Sequence, residues 1–212
     1  MKFIDIINKC LIELNYREVQ SWQALTLNDH KRLIEIVKRL NSQICSADEW
    51  PFLQRRCGIR LLGGEKKIVN PITGTLDMVY VDGIEHKYSP NYKTFLMGNP
   101  ISGCFSTYAE HIYLPKFDRP IICEILYNTD YSAIDASGEE KQYLEVDTDE
   151  SLIPEVFQEP LLVYGACMRL KGNTEHNKFK YWFAMYNDAM ATMRAKSAPS
   201  KKQAPTINIE RN

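Results

Sequence analysis

Helical spacing at both ends, interrupted by a long glycine-punctuated middle, is the feature that most narrows what this chain can fold into. Near the N-terminal end Phe3, Ile7, Cys10, Leu11 and Leu14 recur at steps of three and four, predicting a helix over about 1–15. A second helix is predicted over about 26–49, with Leu33, Val37, Leu40 and Ile44 on its apolar face. Thr26 stands where a hydroxyl caps a first turn, and Asp29 follows three residues on, as in a capping box. Trp50-Pro51 ends the pattern, because proline lacks the next donor and pushes the preceding residue from helical angles. Helix resumes over about 154–171, where Val156, Phe157, Leu161, Tyr164 and Met168 share a face and Pro160 either kinks or restarts it. Over 174–196, capped near Asn173 or Thr174, the stripe Phe179, Trp182, Phe183, Tyr186, Met190 and Met193 reads as packing against the other helices.

Between these ends, over about 52–135, Gly58, Gly63, Gly64, Gly74, Gly83, Gly98 and Gly103 separate short β-prone runs. Met78–Val81 followed by Asp82-Gly83 predicts a tight hairpin, since glycine readily takes the positive φ such turns need. Phe105–Leu114 and Ile121–Tyr127 read as a second antiparallel pair joined through Pro115–Pro120. The predicted class is therefore α+β. A four-helix scaffold is drawn from both ends of the chain, with a small antiparallel β region inserted, in one domain over 1–196. Residues 197–212 form an extended C-terminal tail, in which Thr206-Ile207-Asn208-Ile209 alternates as a strand added to a partner's edge would.

Charge and cysteine content exclude several classes. The net charge of −1 disfavours a generic basic nucleic-acid binder, and a DNA-binding accessory module is the weakest reading. Residues 139–159 carry eight acidic groups against Lys141 alone, so that segment is −7 and the remainder +6. It reads either as a solvated loop or as half of an electrostatic seam against a neighbour. The 12 Tyr, 8 Phe and 3 Trp supply interfaces as well as a core. Cys10, Cys45, Cys57, Cys104, Cys123 and Cys167 show no CxxC pair, so they read as free, mostly buried thiols in a reducing compartment. Asp5 interrupts what would be the apolar part of a signal peptide, and no apolar run reaches membrane-spanning length, so no membrane partner is expected.

No catalytic motif is complete. Gly98–Gly103 has phosphate-loop spacing, but Cys104-Phe105 stands where lysine and a hydroxyl are required. Asp147-Thr148-Asp149-Glu150 opens like a calcium loop without its turn glycine or closing glutamate. His30, His86, His111 and His176 are scattered, and Glu110-His111 in a strand would point to opposite faces. No cofactor or metal is expected.

The order of these features resembles the head–tail adaptor (connector, or neck ring) proteins of tailed bacteriophages. The likeness rests on Asp48-Glu49-Trp50-Pro51-Phe52-Leu53 closing the second helix and on the unit from Asn99-Pro100 through Ile112–Pro115 to Ile121–Tyr127. It continues with Ile153–Ala166 opening the third helix and with Tyr181 and Tyr186 in the last. The resemblance implies a non-enzymatic virion structural protein at the head–tail junction, assembled in the host cytoplasm. It implies a ring, commonly of twelve copies, that binds the portal, receives tail or further neck proteins and passes DNA through its lumen without reading sequence. It also gives the tail a role in portal docking, through Pro199, Lys201, Lys202, Pro205, Ile207, Ile209 and Arg211. The acidic segment and the long β region depart from the family pattern. The alternative is a cytosolic enzyme or nucleic-acid-processing factor whose site is assembled from residues far apart in the chain.

Overall fold

A computed structural model describes residues 1–197. Helices α1 (Phe3–Glu13) and α2 (Asn28–Cys45) open the chain, and a 3₁₀ turn (Pro51–Leu53) leads into the β region. Its strands are β1 (Gln54–Leu61), β2 (Lys67–Val69), β3 (Gly74–Val81), β4 (Ile84–Tyr88), β5 (Cys104–Tyr108), β6 (His111–Tyr113) and β7 (Ile121–Thr129). The short helix α3 (Tyr92–Leu96) lies between β4 and β5. These strands form one seven-stranded sheet in the order β1-β7-β3-β4-β5-β6-β2, curled into a half-barrel. This sheet dominates the fold and overturns the expectation of a four-helix scaffold with a small β insert. It closes its own core from Val79, Val81, Phe105, Ile112, Ile121, Cys123 and Ile125, so the region is a lobe rather than an embellishment.

The pairing also differs from the reading of adjacent runs. Ile121–Thr129 is not the partner of the strand before it; it pairs antiparallel with both β1 and β3, one strand in from the end of the sheet. Phe105–Leu114 is not one strand but a hairpin, β5 with β6, turning at Ala109-Glu110 with φ of 44° and 60°. The chain gives no warning of it, because neither residue favours that left-handed region. α3 carries the chain across so that β4 and β5 pair parallel, against the all-antiparallel expectation. Asp82-Gly83 does turn β3 into β4, with φ of 48° and 80°.

The second core is helical. After a three-stranded sheet of β8 (Ala133–Ile134), β9 (Glu140–Lys141) and β10 (Glu150–Ser151), the chain forms α4 (Glu155–Gln158), a π-helical stretch (Glu159–Tyr164) and α5 (Gly165–Lys171) without a break. Pro160 falls at the start of the π stretch, whose wider turn buries Leu161, Leu162, Val163 and Tyr164 together. Val156, expected on the buried face, is 73% exposed. α6 (Phe179–Ser197) buries a narrower stripe than its sequence suggests, Trp182, Ala189 and Met193, and leaves Phe183 exposed. Glycine at 165 lets helices approach closely, because a Cβ there would sit 2.7 Å from Leu40 Cδ2 and 3.0 Å from the Tyr186 ring. α2 starts two residues later than expected, with Leu27 at its N-cap and no side-chain cap. Asp29 instead accepts a hydrogen bond from the Tyr16 hydroxyl at 2.9 Å.

Trp50 joins the two lobes. It is fully buried in the helical core, stacks on Phe52 with centroids 5.8 Å apart, and donates its indole N–H to the Ile44 carbonyl at 2.6 Å. That carbonyl, in the last turn of α2, also accepts the Ala47 amide at 3.2 Å, so the indole adds a second donor to it.

Candidate interaction surfaces

Half of the acidic groups of 139–159 are engaged within the molecule. Asp149 is buried, and its carboxylate accepts the amides of Glu145 at 2.7 Å and Val146 at 3.0 Å and the Lys141 ammonium at 3.2 Å. Burial works to raise its pKa, but the two amides and Lys141 outweigh it and hold the carboxyl below its ordinary value. The carbonyls of Asp147 and Asp149 accept the amides of Ile4 and Phe3, so the segment straps the open end of α1. Glu140 pairs with Arg55, Glu145 with Lys141, and Glu159 with Lys9. Glu139, Asp147, Glu150 and Glu155 form no ion pair among the described residues. With exposed Tyr143, Val146 and Val156 they make a mixed acidic and apolar surface. Asp149 is fully engaged inside the protein, which disposes of the calcium-loop likeness.

A second surface lies on the β lobe. Leu96, Met97 and Ile101 are 51%, 77% and 47% exposed in and after α3. Beside them Tyr92 and Tyr108 stack face to face, their centroids 4.3 Å apart. A groove of about 480 Å³ between α3 and the sheet edge is lined by Glu65, Lys66, Lys67, Phe95, Leu96 and Tyr113. Lys66, Lys67, Lys87 and Lys93 are exposed around this arm, and none is in an ion pair among the described residues. Sequence reasoning missed the arm. Its signal was the run Phe95-Leu96-Met97, too short to show a period.

The four histidines each have partners of their own, while Cys10 and Cys167 lie together, both buried, in the helical core. His86 and His111 turn Nδ1 to the backbone carbonyls of Ile84 and Ala109, His176 stacks on Trp182, and His30 packs edge-on against Tyr16. The six cysteines are free thiols. Burial pushes the Cys45 thiol up to about 12, and burial with nearby Cys57 and Glu124 pushes that of Cys123 up to about 11, away from the thiolate that nucleophilic chemistry needs. Among the described residues no three His, Cys, Asp or Glu side chains are grouped to hold a metal ion, and no helix is long and apolar enough to cross a membrane. A polar cleft of about 520 Å³ between the end of α2 and the sheet, lined in part by Asp48, Glu49, Thr75 and Asp130, contains no histidine.

The tail residues Pro199, Lys201, Lys202, Pro205, Ile207, Ile209 and Arg211 lie outside the described residues. Their point of departure does not. Ser197, ending α6, shares a groove of about 570 Å³ with Asp48, Glu49, Trp50 and Arg194. The chain matches no protein-family model, and no curated protein is significantly similar to it.

Proposed function

We propose that this chain is a non-enzymatic structural protein of a tailed-phage virion that assembles head to tail into a ring between the capsid portal and the tail. In that role it extends the DNA channel and offers a docking surface to tail or further neck proteins, while the C-terminal tail engages the portal. The observation that carries the reading is the presence of two unlike apolar surfaces on one subunit. The α3 arm is rimmed by lysines and the strap by unpaired carboxylates. A heterologous ring needs two different, complementary patches on every copy, and exposed apolar groups of this kind mark interfaces. The sequence resemblance supplies the location of the ring.

Native mass spectrometry of the protein, alone and mixed with the portal from the same source, tests the proposal. The expected result is a stoichiometric ring on the portal. A monomer or dimer that ignores the portal overturns it. DNA in the lumen is expected to be bound without base readout, so competition between unrelated duplexes should show no preference; a salt-resistant preference for one sequence contradicts this.

A further inference from the structure

β1 is the long open edge of the sheet. It pairs with β7 on one side, and among the described residues no strand pairs with the other. The opposite edge, β2, offers three residues; β1 offers eight. Such an edge presents a row of unpaired amides and carbonyls, and natural proteins usually blunt it or cover it. Here the core behind it is also incompletely closed. Cys57 and Ile59 alternate toward the inner face of β1 yet are only half-buried, while Val79 and Ile125 deeper in the sheet are fully covered. The outer face carries exposed Arg56, paired with Glu124 of β7, and exposed Arg60, which is in no ion pair among the described residues, with Gly58 between them leaving open space where a side chain would be.

The last described residue, Ser197, lies beside the segment that leads into this edge. Ser197 shares its groove with Trp50, four residues ahead of the first residue of β1, and Arg194 pairs with Asp48 at 2.9 Å. Thr206 is nine residues beyond Ser197, a span of up to roughly 30 Å if extended, about the length of an eight-residue strand. The segment Thr206-Ile207-Asn208-Ile209-Glu210 alternates apolar with polar and contains one acidic group. Laid along β1 with Ile207 and Ile209 inward, it would cover Cys57 and Ile59 and turn Glu210 toward Arg60.

We propose that residues 206–209 add to the open edge of β1 of their own chain as an eighth strand in the unassembled subunit. This inference does not depend on the ring reading. If the tail also engages a portal, the two placements exclude each other and the strand is released on docking.

The test uses the full chain. Hydrogen exchange is followed at the β1 amides in the wild type and in a variant carrying Ile207→Asp and Ile209→Asp. The expected outcome is a rise in exchange of tenfold or more at alternate β1 positions, with the amides of α1 and α2 unmoved. Equal exchange in the two proteins overturns the proposal. Independently, Ile207→Cys and Ile209→Cys are introduced singly and oxidised with copper–phenanthroline in an equal mixture of isotopically light and heavy chains. A link from the new thiol to Cys57 within one chain supports the proposal. Links joining light to heavy chains place the strand on a neighbouring copy and overturn it, as does the absence of any link to Cys57 from either position.

Discussion

Trp50 and Asp149 each hold together segments that their local sequence would leave apart. Trp50 fills the helical core at the point where the chain leaves it, and its indole N–H ties it to a carbonyl in the last turn of α2. Trp50→Ala should cost about 3–5 kcal/mol, the usual penalty for deleting a large buried aromatic. The thermal midpoint should fall by roughly 10 °C for a chain of this size; an unchanged midpoint would refute the role given to it. Asp149→Asn keeps the shape but removes the charge that meets Lys141 and two amides, a loss of about 1–3 kcal/mol at neutral pH. Because the folded carboxyl lies below its ordinary value, its contribution is complete above the unfolded pKa of about 4 and disappears as pH falls through the folded one. Urea midpoints of wild type and Asp149→Asn should therefore differ at pH 7 and converge in acid. A difference that persists at the lowest pH would mean that packing, not charge, holds the strap.

At the scale of the element, the turn between β5 and β6 asks two ordinary residues for left-handed backbone. Each such residue costs about 1–2 kcal/mol relative to right-handed geometry, so Glu110→Gly should raise stability by about 1 kcal/mol after glycine's greater unfolded-state entropy is set against it. A lower urea midpoint in that variant would argue that the turn is held by side-chain contacts instead. The same element shows where sequence reading stops. The hairpin at Asp82-Gly83 was legible because its residues have the required backbone freedom, and Trp50-Pro51 marked the end of α2 for a stated steric reason. Ala109-Glu110 carries no such mark, so one long strand was the natural reading of Phe105–Leu114. The π stretch was equally hidden: Pro160 signals a disturbed helix but not a widened one, and the widening is what turns Leu161–Tyr164 inward as a block. On α6 the aromatic spacing was visible, yet Phe183 stacks on Phe179 at the surface and the small Ala189 takes the buried place.

For the whole molecule, the balance of the two lobes was the part the sequence concealed. Glycines dividing short runs suggested an embellishment, because strand pairing depends on contacts far apart in the chain that no local pattern records. The strap was visible as charge, but its capture by Lys141, Arg55, Lys9 and two amides was not. The α3 arm emerged only from its exposure. If the arm is one half of a head-to-tail contact, Leu96→Asp with Met97→Asp should abolish ring formation while moving the thermal midpoint by no more than about 1–2 °C, since both side chains are at the surface. Intact rings from that variant, weighed by native mass spectrometry, would remove the arm from the contact.

The route by which the chain leaves the helical core at Trp50 and re-enters it at Ala133 also governs how the protein is made. α1 and α2 emerge from the ribosome well ahead of Leu161 and Trp182, which pack in the same core and come more than a hundred residues later. At about 5–20 residues per second that is a wait on the order of ten seconds. The half-barrel can close during this interval from residues already synthesised. The newborn chain is then a finished β lobe bearing two uncovered helices, and their closing partners arrive after it.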